Sequence, residues 1–222
     1  MRVVLFGATG MVGQGVLREC LRDERVEAVL VVGRSPVGTS HPKLREVVEK
    51  DLFALEPIIG YDTCFFCLGV SSVGVAPEEY ERITYQLTLS VARKLPDGTT
   101  FGYVSGASTD STERGRVRWA RVKGATENAL ARLPLPLRTF AFRPGYIQPL
   151  HGITSKTPLY RVLYRVAMPL YPVLKRLFPR AVTTTEDIGL AMLAVASSGY
   201  EKPILENADI TALARRDRPA GS

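Results

Sequence analysis

RVVLFGATGMVGQ, residues 2–14, passes from a β-type apolar run through a glycine loop into the first turn of a helix. Gly7 permits a tight turn after the strand, Gly10 removes a side chain where backbone must approach a phosphate, and Gly13 lets helix and strand pack closely. The helix N-terminus presents free N–H groups and a partial positive charge to the same point. A glycine trio alone is weak, but strand, loop, helix and second strand in this order are the setting of a dinucleotide cradle. Gly7, Thr9, Gly10, Met11, Val12 and Gly13 are therefore the candidate pyrophosphate-binding residues.

Outward from this stretch, short apolar runs alternate with helix-type segments. The runs predict strands over Arg2–Phe6, Ala28–Val32, Arg45–Glu49, Thr63–Leu68, Thr100–Ser105 and Leu137–Phe142, with a weaker one over Pro203–Glu206. Helices are expected over Val12–Asp23, Glu78–Lys94, Val117–Leu133 and Ile188–Ser197, the last capped by a threonine of Thr183–Asp187. Continuously apolar strands joined by helices give an α/β class, a doubly wound parallel (Rossmann) sheet. The reading is one domain over 1–222, with a small C-terminal helical lobe or lid over 146–182 and a frayed tail over 215–222.

Composition narrows the classes. The 222 residues are 45% apolar and 23% charged, which suits a globular domain and excludes disordered or collagenous chains. The net charge of +7 could draw nucleotides, nucleic acid or anionic membrane without choosing among them. Cys20, Cys64 and Cys67 are a sparse, odd set that suits a reducing, cytoplasmic setting. Cys64 and Cys67 fall in an apolar strand and read as inert core thiols. With only His41 and His151, a histidine-rich zinc site is not expected. No leader is expected before the first strand. A membrane span over Leu159–Phe178 is rejected on its four basic residues and two prolines.

The second strand ends at Val32-Gly33-Arg34-Ser35. A site for NAD(H) would carry an acid here for the ribose 2′-hydroxyl; Arg34, with Ser35 as a second donor, suits a 2′-phosphate and favours NADP(H) over NAD(H). Asp51 and Leu52 follow the third strand, where they could meet the adenine. Leu68 and Gly69 end the fourth, where glycine leaves room for ribose.

GATGMVG, CLGVSS (67–72), VKGATE (122–127), FRPGYI (142–147) and TTTEDIGLAM (183–192) resemble the atypical short-chain dehydrogenase/reductases, nearest the Tat-interacting-protein-like and NmrA-like subgroups, over nearly the whole chain. The resemblance implies a Tyr-x-x-x-Lys pair one helical turn apart, with the lysine on the nicotinamide ribose, the tyrosine as general acid or base, and a serine nearby. Lys123 matches the lysine, while Trp119 stands at the tyrosine position; an indole N–H cannot exchange a proton in catalysis. The serine falls on Ser105 or Ser108, or its place is taken by Gly106. Tyr103 and Tyr146 are alternative acids. Pro144 and Gly145 are expected beside the nicotinamide by resemblance, and Arg143 either meets substrate or pairs with a carboxylate.

Two functions follow: an oxidoreductase or epimerase-like enzyme on a small organic substrate, or a catalytically weak cofactor-sensing binding protein. No metal is expected. From Asn128 to Thr185 the chain has nine Lys and Arg and no acid. An apolar stripe at helical spacing, Leu159 to Leu177, makes 156–180 a lid, a subunit interface or a peripheral membrane contact. Nucleic acid is disfavoured because no binding module is present, and a homodimer is an analogy with the superfamily.

Overall fold

The structure is a computed structural model that describes residues 1–154, 171, 176–178 and 180–218. Seven parallel strands form one sheet: β1 (Arg2–Phe6), β2 (Ala28–Gly33), β3 (Leu44–Val48), β4 (Thr63–Phe66), β5 (Thr100–Val104), β6 (Arg138–Arg143) and β9 (Ile204–Glu206). Their order is β3-β2-β1-β4-β5-β6-β9, so the chain starts in mid-sheet and reverses between β1 and β4. Clefts at such reversals, outside the carboxyl ends of the strands, are where these sheets take ligands.

Alternation along each strand serves two cores. Val3 and Leu5 of β1 join Phe65 and Phe142 on one face, while Val4 and Phe6 join Phe66, Phe101 and Tyr103 on the other. Phe66 lies 5.5 Å from Phe6 and 6.0 Å from Phe101 between ring centroids, which ties three neighbouring strands together. Because both faces are covered, the central strands are continuously apolar, as the sequence suggests. β3 is the edge: Val47 and Val48 remain exposed there.

On the first face lie α1 (Met11–Arg22), α5 (Thr185–Ser198) and α6 (Asn207–Asp217). On the second, Pro77–Ala92 runs as α2 (Pro77–Glu81), a π turn (Arg82–Gln86) and α3 (Leu87–Ala92), followed by α4 (Arg118–Ala131). The wide turn frees the Thr84 carbonyl, which accepts from the hydroxyls of Thr88 at 2.7 Å and Thr126 of α4 at 3.3 Å. The crossover from β2 to β3 carries no helix, and the outer flank of α1 stays open.

Several boundaries differ from the sequence reading. β7 (Tyr146–Gln148) and β8 (Val182–Thr184) pair in parallel as a second small sheet; three-residue strands are too short for a periodic signal. α5 begins at Thr185 rather than Ile188, with the Thr184 hydroxyl accepting from the Asp187 N–H at 2.9 Å. The expected frayed tail is corrected in part. Arg215 to Asp217 complete α6, and Asp217 is held by Arg25 at 2.5 Å. Arg218 reaches Glu186 at 2.9 Å. Residues 219–222 lie outside the described residues, as do most of the expected lobe and the stripe positions from Leu159 to Leu174. Leu177 and Phe178 are exposed. Among the described residues no helix is long and apolar enough to cross a membrane.

α1 and α5 approach closely where each carries a glycine, Gly15 and Gly189. A Cβ on Gly15 would stand 2.6 Å from the Thr185 carbonyl oxygen. Gly15→Ala gains about 1 kcal/mol in helix propensity, but overpacking against backbone costs about 1–3 kcal/mol. Urea unfolding is expected to show a lower midpoint for this variant; a raised midpoint would contradict the overlap.

Candidate functional site

The carboxyl ends of β1, β4, β5 and β6 meet around a cleft of about 450 Å³. Its walls come from Gly10–Val12, Cys67–Val70, Val104–Ala107, Trp119, Lys123, Pro144, Gly145 and Ile147. Ten of these residues are ones that the sequence singles out as candidate site residues, although they are far apart along the chain.

The glycine loop is built by close approach. Gly7 adopts φ +79°, and a Cβ there would lie 2.6 Å from the backbone of Cys67 and Leu68. On Gly13 a Cβ would lie 2.1 Å from the Gly7 carbonyl oxygen, so α1 starts directly on the loop. Gly10 caps α1 without a side-chain hydrogen bond, and the first turn carries no acid. Thr9 lies on the far side of the loop from this cleft, where its carbonyl accepts from the Gln14 amide at 3.2 Å. A cradle that a Cβ would fill and an uncapped helix N-terminus fit a bound pyrophosphate.

Beyond Leu68, which lines both spaces, a smaller pocket of about 90 Å³ brings together Arg34, Lys50, Asp51, Leu52, Phe53 and Arg82. Arg34 makes no ion pair among the described residues. The Asp51 carboxylate is partly engaged: it accepts from the Phe53 N–H at 3.0 Å and caps a 3-10 turn. Ser35 is exposed next to Arg34 but does not line the pocket. The sequence reading missed Arg82, whose guanidinium lies 4.8 Å over the Phe53 ring. The π turn carries it there, and no local propensity announces that turn.

α4 presents Trp119, Lys123 and Glu127 at intervals of one turn along one side. It can approach the loop after β5 because residue 124 is glycine: a Cβ there would overlap the Asp110 carbonyl oxygen at 1.9 Å. Lys123 consequently reaches the Ser105 carbonyl and donates to it. Its ammonium is half-buried at the cleft wall, and burial lowers its pKa to about 8 against the opposing pull of Glu127.

The other residues expected at this wall differ in what they present to the cleft. Ser105 does line the cleft, but its hydroxyl points inward and donates to Glu127 Oε1 at 2.5 Å. Ser108 is exposed with φ +65° and does not line the cleft. The alternative tyrosines lie elsewhere: Tyr103 is buried in the aromatic core with its pKa pushed far up by burial, and Tyr146 donates to Gln148 at 3.1 Å. At the β6 end, Pro144 and Gly145 line the cleft, but the Pro144 carbonyl accepts from Ala107 at 2.9 Å and the Gly145 N–H donates to Asn207 at 2.8 Å. Arg143 resolves as structural. Its guanidinium donates to both Glu127 oxygens at 3.1 and 2.5 Å, to Glu206 at 3.1 Å and to Ser111 at 2.5 Å.

The cysteines are free, with Cys20 and Cys64 buried and all three thiols pushed up by burial, in keeping with core roles. Among the described residues no cluster of ligating side chains could hold a metal. A wider cleft of about 620 Å³ lies along the outer flank of α1, lined by Thr9, Gln14, Arg18, Arg22, His41 and His151 among others. There Glu186 accepts from His151 at 2.5 Å, and its pKa is lowered by His151 and by Arg218 and Arg18 despite burial.

No family model matches the chain. Curated relatives include proteins named FMP52, mitochondrial. The Debaryomyces hansenii protein is 27% identical over 151 residues, 65% of this chain and 66% of its own length. The Meyerozyma guilliermondii protein is 25% identical over 186 residues, 78% of this chain and 79% of its own. The chain thus spans just under two thirds of the first of these. All such relatives are named mitochondrial, which overturns the expected cytoplasmic location. Among solved structures, a short chain dehydrogenase family protein from Francisella tularensis superposes with a TM-score of 0.63 at 14% identity, covering 92% of this chain and 95% of that one. The Bordetella bronchiseptica enzyme WbmF, solved with NAD+ and UDP, superposes with a TM-score of 0.60 at 16% identity, covering 97% of this chain and 76% of that one. The fold is therefore that of the Rossmann-type short-chain dehydrogenases.

The Arg143–Glu127 pair is buried and hydrogen-bonded at every turn. Removing one partner of such a pair costs about 3–5 kcal/mol, whereas replacing both with apolar groups costs far less. Glu127→Ala should lower stability by about that amount in urea unfolding, and Glu127→Leu with Arg143→Met should lose less than the single change.

Proposed function

We propose that the protein binds NADP(H) across this cleft and acts as an oxidoreductase or epimerase-like enzyme on a small organic substrate. The observation that carries this reading is the convergence of the glycine loop, the β4 and β5 ends and Lys123 on one cleft, continuous through Leu68 with the pocket at Arg34. The loop from Gly7 to Gly13 holds the pyrophosphate on backbone N–H groups and the α1 dipole. Arg34, with Ser35 beside it, takes the 2′-phosphate; Asp51 and Leu52 flank the adenine. Lys123 faces the nicotinamide ribose, and Pro144 and Gly145 close the far wall. When bound, the nicotinamide supplies hydride chemistry, which is the cofactor's own. The solved relative with NAD+ bound supports the cofactor class. The curated relatives' names support a mitochondrial location.

One observation favours a second reading, a cofactor-sensing binding protein: Trp119 stands where the superfamily's tyrosine would, and the Ser105 hydroxyl is spent on Glu127. The readings separate on Trp119→Tyr. Under the first, wild-type protein oxidises NADPH in the presence of a small carbonyl or quinone. Under the second, wild-type protein is inert, reduced and oxidised nucleotide bind with different affinity, and Trp119→Tyr gains activity.

Calorimetric titration with NADP+, NADPH, NAD+ and NADH at one salt concentration tests the cofactor itself. NADP+ and NADPH should bind the more tightly. A charge-assisted bond of about 1.5–3 kcal/mol means that Arg34→Ala should weaken NADP+ binding by roughly 10- to 150-fold and leave NAD+ binding nearly unchanged. Binding of none of the four would refute the reading.

A further inference from the structure

A reaction that reduces a carbonyl needs a proton as well as a hydride, and the usual tyrosine is absent. The described walls of the cleft offer few sources. Ser105 turns its hydroxyl to Glu127 and lies 3.4 Å from the Phe142 carbonyl, so it faces the interior. Trp119 has only an indole N–H. Cys67 carries its proton too tightly, its thiol being pushed far up by burial. Among the described lining residues, the remaining ionisable side chain is Lys123.

We propose that Lys123 is itself the proton donor of this cleft, its ammonium seated on the Ser105 carbonyl and backed by the buried Glu127–Arg143 pair. The inference rests on the nucleotide reading above. As the substrate carbon accepts hydride from reduced nicotinamide, the electron pair of its C=O π bond moves to oxygen. An N–H bond of Lys123 breaks and an O–H bond forms. The carbonyl is reduced, the nicotinamide is oxidised, and Lys123 is left as an amine that regains its proton from water.

The geometry assigns the supporting parts. The Ser105 carbonyl engages one of three ammonium hydrogens, which leaves two. Glu127 lies one turn further along α4 and is a positioning residue. It ties the Ser105 hydroxyl at 2.5 Å and takes two bonds from Arg143, so the β5 end and the lysine are set by one carboxylate. Among the described residues, Glu127 from its own helix is the charged group that acts on Lys123, with Arg143 from β6 paired to that carboxylate and Cys67 lining the same cleft from the β4 end. Burial lowers its pKa to about 8, near the operating pH where a proton donor works best. The donor form is present below that value and is lost as pH rises through it.

The test follows the 13Cε signal of Lys123 in the whole chain labelled with [13C]lysine, free and saturated with NADP+, assigned by its loss in Lys123→Arg. The signal should titrate near pH 8 rather than near the ordinary lysine value of about 10.4. Glu127→Gln keeps one oxygen that can accept from Ser105 and Arg143 Nε, gives up the second acceptor and removes the charge, and should lower that midpoint further. If this variant does not fold, the wild-type titration decides alone. In NADPH-driven reduction of 9,10-phenanthrenequinone, kcat should fall above pH 8. Lys123→Arg should lose about 10²- to 10⁴-fold in kcat at saturating NADPH and abolish that alkaline limb. Nucleotide binding with Lys123 titrating above pH 10, or an unchanged limb in Lys123→Arg, overturns the inference alone. No nucleotide binding in wild type overturns the reading on which it stands.

Discussion

The approach of the glycine loop to the β4 end governs the rest of the molecule. With residue 7 left-handed and a virtual Cβ 2.6 Å from the Cys67–Leu68 backbone, no side chain can stand between the two loops. Their contact sets where α1 begins, and the cleft opens beside it. Because Gly13 lies on the Gly7 carbonyl, the helix starts without a gap, and its unbonded N–H groups face the cleft. α1 then sits close enough to α5 for Gly15 and Gly189 to replace side chains at their crossing. One steric demand at residue 7 therefore extends through two helices to the β8 junction.

A second constraint is electrostatic. A carboxylate and a guanidinium withdrawn from water gain little unless every lone pair and proton is matched. Glu127 and Arg143 meet that condition with Ser105, Ser111 and Glu206. The satisfied cluster pins α4, β5 and β6 at the cleft's edge. It also explains why Arg143, with a strongly bound partner, holds its proton more firmly than an ordinary arginine.

The sheet was legible because strands buried on both faces write their own apolar runs, and the glycine loop was legible because backbone crowding leaves no other residue type. Lys123 and Arg34 were legible through spacing from those landmarks. The direction of the Ser105 hydroxyl was not, since it depends on Glu127 one element away. Nor were Arg82, delivered by a π turn, and β7 with β8, each too short to show a period. The choice left open for Arg143 closed only when β6 and α4 were placed side by side. Glu127 carried a faint signal, one turn beyond Lys123 on an otherwise mixed helix, but a buried acid cannot be told from a surface one without its partner.

The placement of β1 also has a kinetic side. The first strand in the chain is the third across the sheet, and its neighbours are β2 and β4, with Val3 opposite Val29 and Thr63. No strand pairs with its partner through a hairpin. Every ladder closes a loop through a crossover, and β6 waits for a partner about sixty residues further on, with Ala141 opposite Ile204. Loop closure must precede each reward, which makes such topologies slow folders with transiently open edges. The molecule therefore assembles this cleft late: the glycine loop is among the first residues in sequence, yet its wall is complete only when distant β4, β5 and β6 have joined it.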